Sequence, residues 1–311
     1  MNMVVLGALD PVQLAELAAL LTRCERADHH PALAEPQRAA AARSDLGGNG
    51  AHVVLAYSDR ESDGLVGCAF ITPALDGATA LHVAVDPDHR DGPEGIQHEL
   101  LRAALAHAHA TGGGREVRLW IMQATADDDT MAHDLGFVPE RDLLQMRVPL
   151  PLPSEIVASA RPVATRAFQP GRDDSAWLSI NNRAFADHPE QGRWTLDELH
   201  EHMGFDWFDL EGFLVADRPD GNGLLGSCWT KVDRTSEPVL GEIYVISVDP
   251  DLHSQGWGRA LTVAGLQWMA RQGVTVGMLY VTGSNTAAVK LYESLGFTVD
   301  HVDRSYLLTP G

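Results

Sequence analysis

The residues best suited to chemistry lie in one short string, VDPDLHSQGWGRAL, from Val248 to Leu261. It follows EIYVISV (242–248), a β-branched and aromatic run that reads as a buried strand. It leads into RALTVAGLQWMARQG (259–273), whose apolar residues recur at helical spacing until Gly273. Pro250 ends the strand, and Gly256 and Gly258 bracket the turn into the helix. Glycines at such a turn let backbone N–H groups close on an anion, and the helix N-terminus adds partial positive charge. Arg259 adds a full charge. The loop suits a phosphate, although a plain strand-to-helix turn can carry the same glycines.

The elements that must position this loop occur twice. VGMLYV (276–281) reads as the next strand and NTAAVKLYESLG (285–296) as the next helix, with Asn285 as N-cap and Gly296 just past its end. GLVGCAF (64–70) answers GLLGSCW (223–229), LHVAVDPDHR (81–90) answers YVISVDPDLH (244–253), and HDLGFVPE (133–140) answers ESLGFTVD (293–300). Three phrases in the same order imply one duplicated α/β unit. The Pro-rich VPLPLPSEIVASARP has neither helical nor strand periodicity. The expected organisation is therefore a first domain at 1–147, a linker at 148–162 and a second domain at 163–311.

The string from Val248 to Leu261 resembles the acetyl-CoA motif of the GNAT acetyltransferase superfamily, and YVTGSNTAAVKLYESLGF (280–297) resembles its second signature. The resemblance implies two tandem GNAT-type domains, each a mixed, mostly antiparallel twisted sheet flanked by helices. It implies acetyl-CoA as co-substrate, held by the backbone of Ile246, Ser247 and Val248 and by the loop His253, Ser254, Gln255, Gly256, Trp257, Gly258 and Arg259. Asn285, Thr286, Ala287, Ala288, Val289 and Lys290 would line the CoA arm. His253 stands where the superfamily usually has Gln or Arg, so the cradle would rest mainly on backbone N–H groups and Arg259.

Acetyl transfer to an amine needs an unprotonated amine, a polarised carbonyl and a proton for the departing thiolate. The resemblance implies that a backbone N–H near Val248 polarises the carbonyl, that Glu242 takes the amine proton and that Tyr292 protonates the thiolate. Glu242 lies six residues before Val248, which a two-residue period places on one strand face. Other readings are a solvent-facing carboxylate for Glu242 and a core aromatic for Tyr292, which shares helical spacing with Ala288, Leu291 and Leu295. In the first unit, gapless alignment puts Thr79 at the Glu242 position, Ala132 at the Tyr292 position and Gln97 at the second glycine. Asp91 and Glu94 add negative charge to that loop. The first unit reads as a degenerate, catalytically inert copy.

NNRAFADHPEQGRWT (181–195), DWFDLEGFLVA (206–216), SCWTKV (227–232) and LLQMRVPL (143–150) resemble the mycothiol synthases of actinobacteria, a tandem GNAT family, over nearly the whole chain. That family acetylates the cysteinyl amine of a cysteine-glucosamine-inositol conjugate. The resemblance implies substrate contacts at Glu35, Asp187, Glu190, Lys231, Glu242 and Tyr280. Taken alone, HPEQG (188–192) reads as a turn between helices.

Composition limits the partners. The 311 residues carry a formal charge of −20, which disfavours nucleic acid and anionic membranes and suits a polar or cationic small molecule. Cys24, Cys68 and Cys228 show no metal or disulfide spacing, fitting a reducing cytoplasm. No metal pattern appears among the 14 histidines. The start MNMVVLGALDPVQLAEL has no basic leader region, and no spanning segment is expected. A cytoplasmic monomer follows as the expectation. Acetylation of another small amine, such as an aminoglycoside or amino acid, and a non-catalytic acetyl-CoA-binding protein are the competing readings.

Overall fold

The structure is a computed structural model, and it describes residues 1–309 except 29, 34–36, 39–40, 42–44, 48–49, 61–63, 75–76, 91–94, 113–114, 187–191, 222, 235 and 237. The chain divides into two compact units. Unit 1 comprises Met1–Asp142 and Val302–Gly311, and unit 2 comprises Leu143–His301.

Unit 1 contains β1 (Asn2–Leu6), α1 (Pro11–Asp28), β2 (His52–Tyr57), β3 (Leu65–Pro73), β4 (Thr79–Val85), α2 (Ile96–Gly112), β5 (Val117–Ile121) and α3 (Ala126–Asp134). Then β6 (Val138–Pro149) and α4 (Ser154–Ser159) lead to β7 (Arg166–Ala167), α5 (Asp174–Ala184), α6 (Leu196–Met203), β8 (Phe213–Asp217), β9 (Leu224–Asp233) and β10 (Leu240–Val248). α7 (Trp257–Arg271), β11 (Val276–Thr282), α8 (Thr286–Glu293) and β12 (Thr298–Leu308) complete the chain. The strand order is β1-β2-β3-β4-β5-β12 in unit 1 and β7-β8-β9-β10-β11-β6 in unit 2. β4–β5 and β10–β11 pair in parallel and the other recorded pairs are antiparallel. The mixed, mostly antiparallel architecture of the expectation is therefore present in both units.

The last strand of each unit is exchanged. Residues 143–149 of β6 pair with β11, from Leu143↔Thr282 to Pro149↔Val276. Residues 304–308 of β12 pair with β5. The expected boundaries at 147 and 163 differ from this division. Val148, Leu150 and Leu152, expected in a linker, are buried in the unit 2 core, and 154–159 form α4. Hydrophobic side chains at alternate positions of a Pro-rich stretch can bury themselves on a neighbouring sheet, which local periodicity does not reveal.

Each sheet is covered on both faces. In unit 2 one face packs on α7 and α8 through Leu261, Leu266, Met269, Tyr292 and Leu295. The other packs on α5 and α6 through Trp177, Ile180 and Leu199, with Phe213 and Trp229 stacked 4.2 Å apart. α7 lies close on β9 because Gly265 has no side chain: a Cβ there would stand 2.4 Å from the Cys228 sulfur. The repeated VDPD phrase has one structural job in both units. Asp86 and Asp249 cap the turn after the strand and take an arginine from the unit's own helix, Arg23 Nε at 2.6 Å and Arg183 Nη2 at 2.9 Å. Arg218 Nη1 adds a second donor to Asp249 at 2.7 Å.

The exchanged strand ties unit 1 together. Tyr306 is fully buried among Leu119, Ala132 and Phe137, and its hydroxyl donates to Asp129 at 2.7 Å. Arg304 donates to both Asp129 and Asp142. Tyr306→Ala should lower stability by about 3–5 kcal/mol, the usual cost of emptying an aromatic core site. Tyr306→Phe should lose only the hydrogen bond to a carboxylate, about 1.5–3 kcal/mol. Urea unfolding of the three proteins measures both, and a Tyr306→Ala variant as stable as wild type would remove β12 from that core.

Candidate active site

The two central strands of unit 2 separate where chemistry is expected. β10 and β11 pair at Leu240↔Val276, Gly241↔Gly277 and Glu242↔Met278. Among the described residues that ladder goes no further, although β10 continues to Val248 and β11 to Thr282. Backbone groups of a strand point alternately to its two edges, so half of those from Ile243 to Val248 face this opening. An edge of this kind can bind an extended ligand through main-chain hydrogen bonds.

On its other edge β10 pairs with β9, and one residue breaks the register. Ile243 faces Thr230 and Val245 faces Trp229, so Tyr244 is an extra residue, a β-bulge. Ile243 packs with the α7–α8 core, Val245 with the α5–α6 core, and Ile246 and Val248 again on the α7–α8 side. The bulge has inverted the alternation. Glu242 therefore lies on the α5–α6 face with Tyr244, opposite in face to Val248. The expectation of a shared face is corrected, because a two-residue period holds only along an unbroken ladder. Ser247 is also turned away from the α7–α8 side. Its hydroxyl lies 3.0 Å from Ser227, whose oxygen accepts from Trp177 Nε1 at 2.9 Å, leaving only its backbone for a cofactor.

The α5–α6 face gathers three of the expected substrate contacts. Glu242 is directly opposite Lys231 in the β9–β10 ladder. Lys231 Nζ lies 4.7 Å from the centre of the Trp207 ring and 5.5 Å from that of Tyr244. Trp207 and Tyr244 meet edge to face at 4.8 Å. Tyr280 takes this side of β11, since Leu279 and Val281 belong to the other core. Gln145 Nε2 donates to the Tyr280 hydroxyl at 2.8 Å, and Arg147 Nε fixes Gln145 from behind at 2.7 Å. Glu35, Asp187 and Glu190 lie outside the described residues. Sequence reasoning did not single out Trp207, Tyr244 or Gln145. The offsets of the repeated phrases, 159 (64 to 223), 163 (81 to 244) and 160 (133 to 293), change by three or four residues around this strand, so they do not single out a one-residue bulge.

The α7–α8 face holds the acid and the anion loop. Tyr292 is 8% exposed, with its ring 5.7 Å from Phe297. Burial raises its pKa to about 12, so the phenol keeps its proton at neutral pH. After Val248, Asp249 caps a short turn at 250–252, and the chain reaches α7 through Ser254 at φ 60° and Gly256 at φ 82°. The first-turn N–H groups of α7 have no partners within the helix and point out of its end. Together with the left-handed turn they form a concavity suited to phosphate oxygens. Arg259 points elsewhere: it donates to Ser294 Oγ at 2.6 Å and Ser159 Oγ at 2.7 Å, binding α7 to α8 and α4. His253, Ser254 and Gln255 are exposed, while Trp257 and Gly258 begin the helix. The Asn285 side chain caps α8 by accepting from the Ala288 N–H at 3.2 Å; Thr286, Ala287 and Lys290 are exposed on its first turns, with Val289 half-buried.

Unit 1 lacks the bulge and the side chains of Glu242 and Tyr292. β3 and β4 pair without a register shift from Gly67↔Val85 to Pro73↔Thr79. Counting pairs from Val85 and Val248, Ala80↔Thr72 takes the place of Glu242↔Lys231. Ala80, and not Thr79, is the counterpart of Glu242, because gapless alignment ignores the bulge. Ala132 does occupy the Tyr292 position: its carbonyl accepts from Phe137 N at 3.0 Å, as that of Tyr292 does from Phe297 N at 3.1 Å. Leu100 approaches Gly67 as Leu261 approaches Gly226, which places Gln97 at the Gly258 position. Gln97 donates to Asp128 at 2.9 Å. Asp91 and Glu94 are outside the described residues. Among the described residues no group of three or more His, Cys, Asp or Glu could hold a metal ion.

Comparison with known proteins gives this geometry a context. Residues 176–297 match the acetyltransferase (GNAT) family. A mycothiol acetyltransferase of Thermobispora bispora is 42% identical over 84% of this chain and 84% of its own length. One of Kocuria rhizophila is 40% identical over 94% of each. Among solved structures, a GCN5-related N-acetyltransferase of Sphaerobacter thermophilus superposes with a TM-score of 0.71 at 22% identity, covering 99% of this chain and 95% of that one. A tandem GNAT protein from the clavulanic acid biosynthesis pathway gives 0.68 at 14% identity, covering 100% and 98%. At these identities the two structures share the fold.

The loop's backbone yields a test independent of ligand. Gly256→Ala forces a side chain into the left-handed region and should cost about 1–2 kcal/mol. At Gly258 a Cβ would meet nothing nearer than Leu291 Cδ1 at 3.7 Å. Gly258→Ala should therefore be neutral or gain up to about 1 kcal/mol from helix propensity. Denaturant midpoints of the two variants measure the contrast, and equal midpoints would contradict the left-handed turn.

Proposed function

The chain belongs to the mycothiol acetyltransferase family, and on that premise we propose that it transfers the acetyl group of acetyl-CoA to the cysteinyl amine of a cysteine-glucosamine-inositol conjugate. The observation that carries the reading is the bulge in β10, which the matching β3–β4 ladder of unit 1 lacks, beside the open edge of β10. It sets a carboxylate and a lysine on one face of the strand and leaves backbone groups and the α7 loop on the side of a protonated tyrosine.

Acetyl-CoA supplies an activated thioester carbonyl. The residues of this chain divide the remaining work. Backbone N–H groups of β10 between Ile246 and Val248 hold the carbonyl oxygen, and the turn at Gly256 and Gly258 takes the pyrophosphate. Glu242 accepts the proton of the attacking amine, directly or through one water. Tyr292 gives its proton to the sulfur as the thiolate leaves, and its raised pKa keeps that proton available. Lys231 and Tyr280, with Asp187 and Glu190, bind the hydroxyl-rich acceptor. Acidic contacts suit a cysteinyl ammonium, and the chain's −20 charge favours its approach. We place the enzyme in the cytoplasm as a monomer: Cys24, Cys68 and Cys228 are all free, and no described helix is long and apolar enough to cross a membrane.

Purified protein given acetyl-CoA and the conjugate should form the N-acetyl product, detected by mass spectrometry. Turnover of other small amines with none of the conjugate would sink the substrate assignment. Glu242→Gln should lower kcat by about 10² at neutral pH, the usual worth of a positioned base. The deficit should shrink as pH rises and the amine deprotonates unaided. Tyr292→Phe should keep the melting temperature and lower kcat by about tenfold or more, since only a transition-state interaction is lost. Because the Tyr292 donor form persists until pH nears its raised pKa, kcat of the wild type should show no falling alkaline limb up to about pH 10. Full activity in the Phe variant would return Tyr292 to a packing role.

A further inference from the structure

The anion loop carries no engaged cation of its own. His253, Ser254 and Gln255 are exposed, and the Arg259 guanidinium is held by Ser159 and Ser294. A cation that touches the loop comes from a part of the chain that resembled a linker. Arg161, two residues beyond α4, lays its guanidinium on the Trp257 indole with Cζ 3.4 Å from the ring centre. Its Nη1 donates to the Gln255 carbonyl at 2.7 Å. Its Cδ stands 3.7 Å from where a Cβ on Gly256 would be. One side chain thus touches Gln255, Gly256 and Trp257, the three residues that turn the loop into α7.

We propose that Arg161 is the positioning residue of the nucleotide-phosphate cradle: it holds the 255–257 turn in its anion-accepting shape and supplies the cation the loop lacks. Arginine suits both parts. Its planar, weakly hydrated guanidinium can stack on an indole and still donate in its own plane. Of its five N–H donors, one is used by Gln255, and Arg161 is exposed, so the others are open to phosphate oxygens. The need is electrostatic. A chain of net charge −20 repels a multiply charged nucleotide, and a local cation beside the backbone N–H groups offsets that repulsion at short range. Holding Gln255 by its carbonyl also restrains the two left-handed residues on either side of it, Ser254 and Gly256, which an unrestrained loop would leave.

The inference rests on the reading that unit 2 binds acetyl-CoA, and two donors separate the claims. Acetyl-CoA carries the phosphates, and S-acetylpantetheine lacks them. Arg161→Gln should raise the Kd and KM for acetyl-CoA about tenfold, the equivalent of one lost charge-assisted contact. It should leave kcat within about twofold, because no reacting atom is touched. With S-acetylpantetheine its kcat/KM should equal that of wild type. Arg161→Lys keeps the charge but loses the flat stack, and should recover only part of the affinity. Unchanged acetyl-CoA affinity in Arg161→Gln, or an equal loss with both donors, overturns the assignment. Full rescue by lysine overturns the positioning role. A wild-type protein that binds no acetyl-CoA removes the cofactor reading and this assignment with it.

Discussion

One extra residue in one strand organises the working half of this protein. Tyr244 interrupts the β9–β10 ladder, and every side chain after it changes face. Without it, Glu242 and Val248 would share a side, and the carboxylate would compete for space with the core under α7. With it, the α5–α6 side carries Glu242, Lys231 and Tyr280, while Ile246 and Val248 face the helices that bear Tyr292 and the glycine turn. Among the described residues, the β10–β11 ladder ends at Glu242, just before the bulge. A sheet normally satisfies its own backbone groups, and an internal edge left open costs hydrogen bonds unless something else supplies them.

The duplicate shows how few residues set the two units apart. Unit 1 has the same strand order, the same capping aspartate with its arginine and the same helix-ending turn. It differs by one missing residue in β4, by Ala80 and Ala132, and by Gln97 in place of a glycine. Packing has been kept where the side chains of Glu242 and Tyr292 have no counterpart. Part of the reason is covalent: the strand that closes unit 1 is encoded after the last helix of unit 2, and the strand that closes unit 2 is encoded before α4. Unit 2 is one continuous stretch, but unit 1 is not: without the C-terminal residues of β12 its β5 would keep an unpaired edge.

Charge is handled locally. Against 43 Asp and Glu the chain has 23 Lys and Arg, and many of the described arginines are committed to aspartates or backbone at defined points. Arg183 and Arg218 hold the Asp249 turn, Arg166 holds Asp173 and Asp217, and Arg304 holds Asp129 and Asp142. A cation that reaches a phosphate site in such a chain has to be placed by packing, as the Trp257 platform places Arg161.

The two-unit repeat, the strand–loop–helix around Gly256 and the acetyltransferase family were legible in residue order alone, because each is a local pattern: strand and helix periods, glycines at a turn, and phrases repeated at near-constant spacing. Tyr292 and Ala132 could be matched from their shared Leu-Gly-Phe turn for the same reason. The face occupied by Glu242, its true counterpart Ala80 and the commitment of Arg259 to two serines were not legible. Each depends on what lies across a ladder or on a neighbouring helix, and a bulge inserts into the count a residue that no propensity marks. The exchange of β6 and β12 was hidden too, since a strand's own alternation says which face is apolar but not which sheet it joins. Sequence set the parts and their order; tertiary pairing decided which side of the sheet each functional group would face, because register exists only between strands.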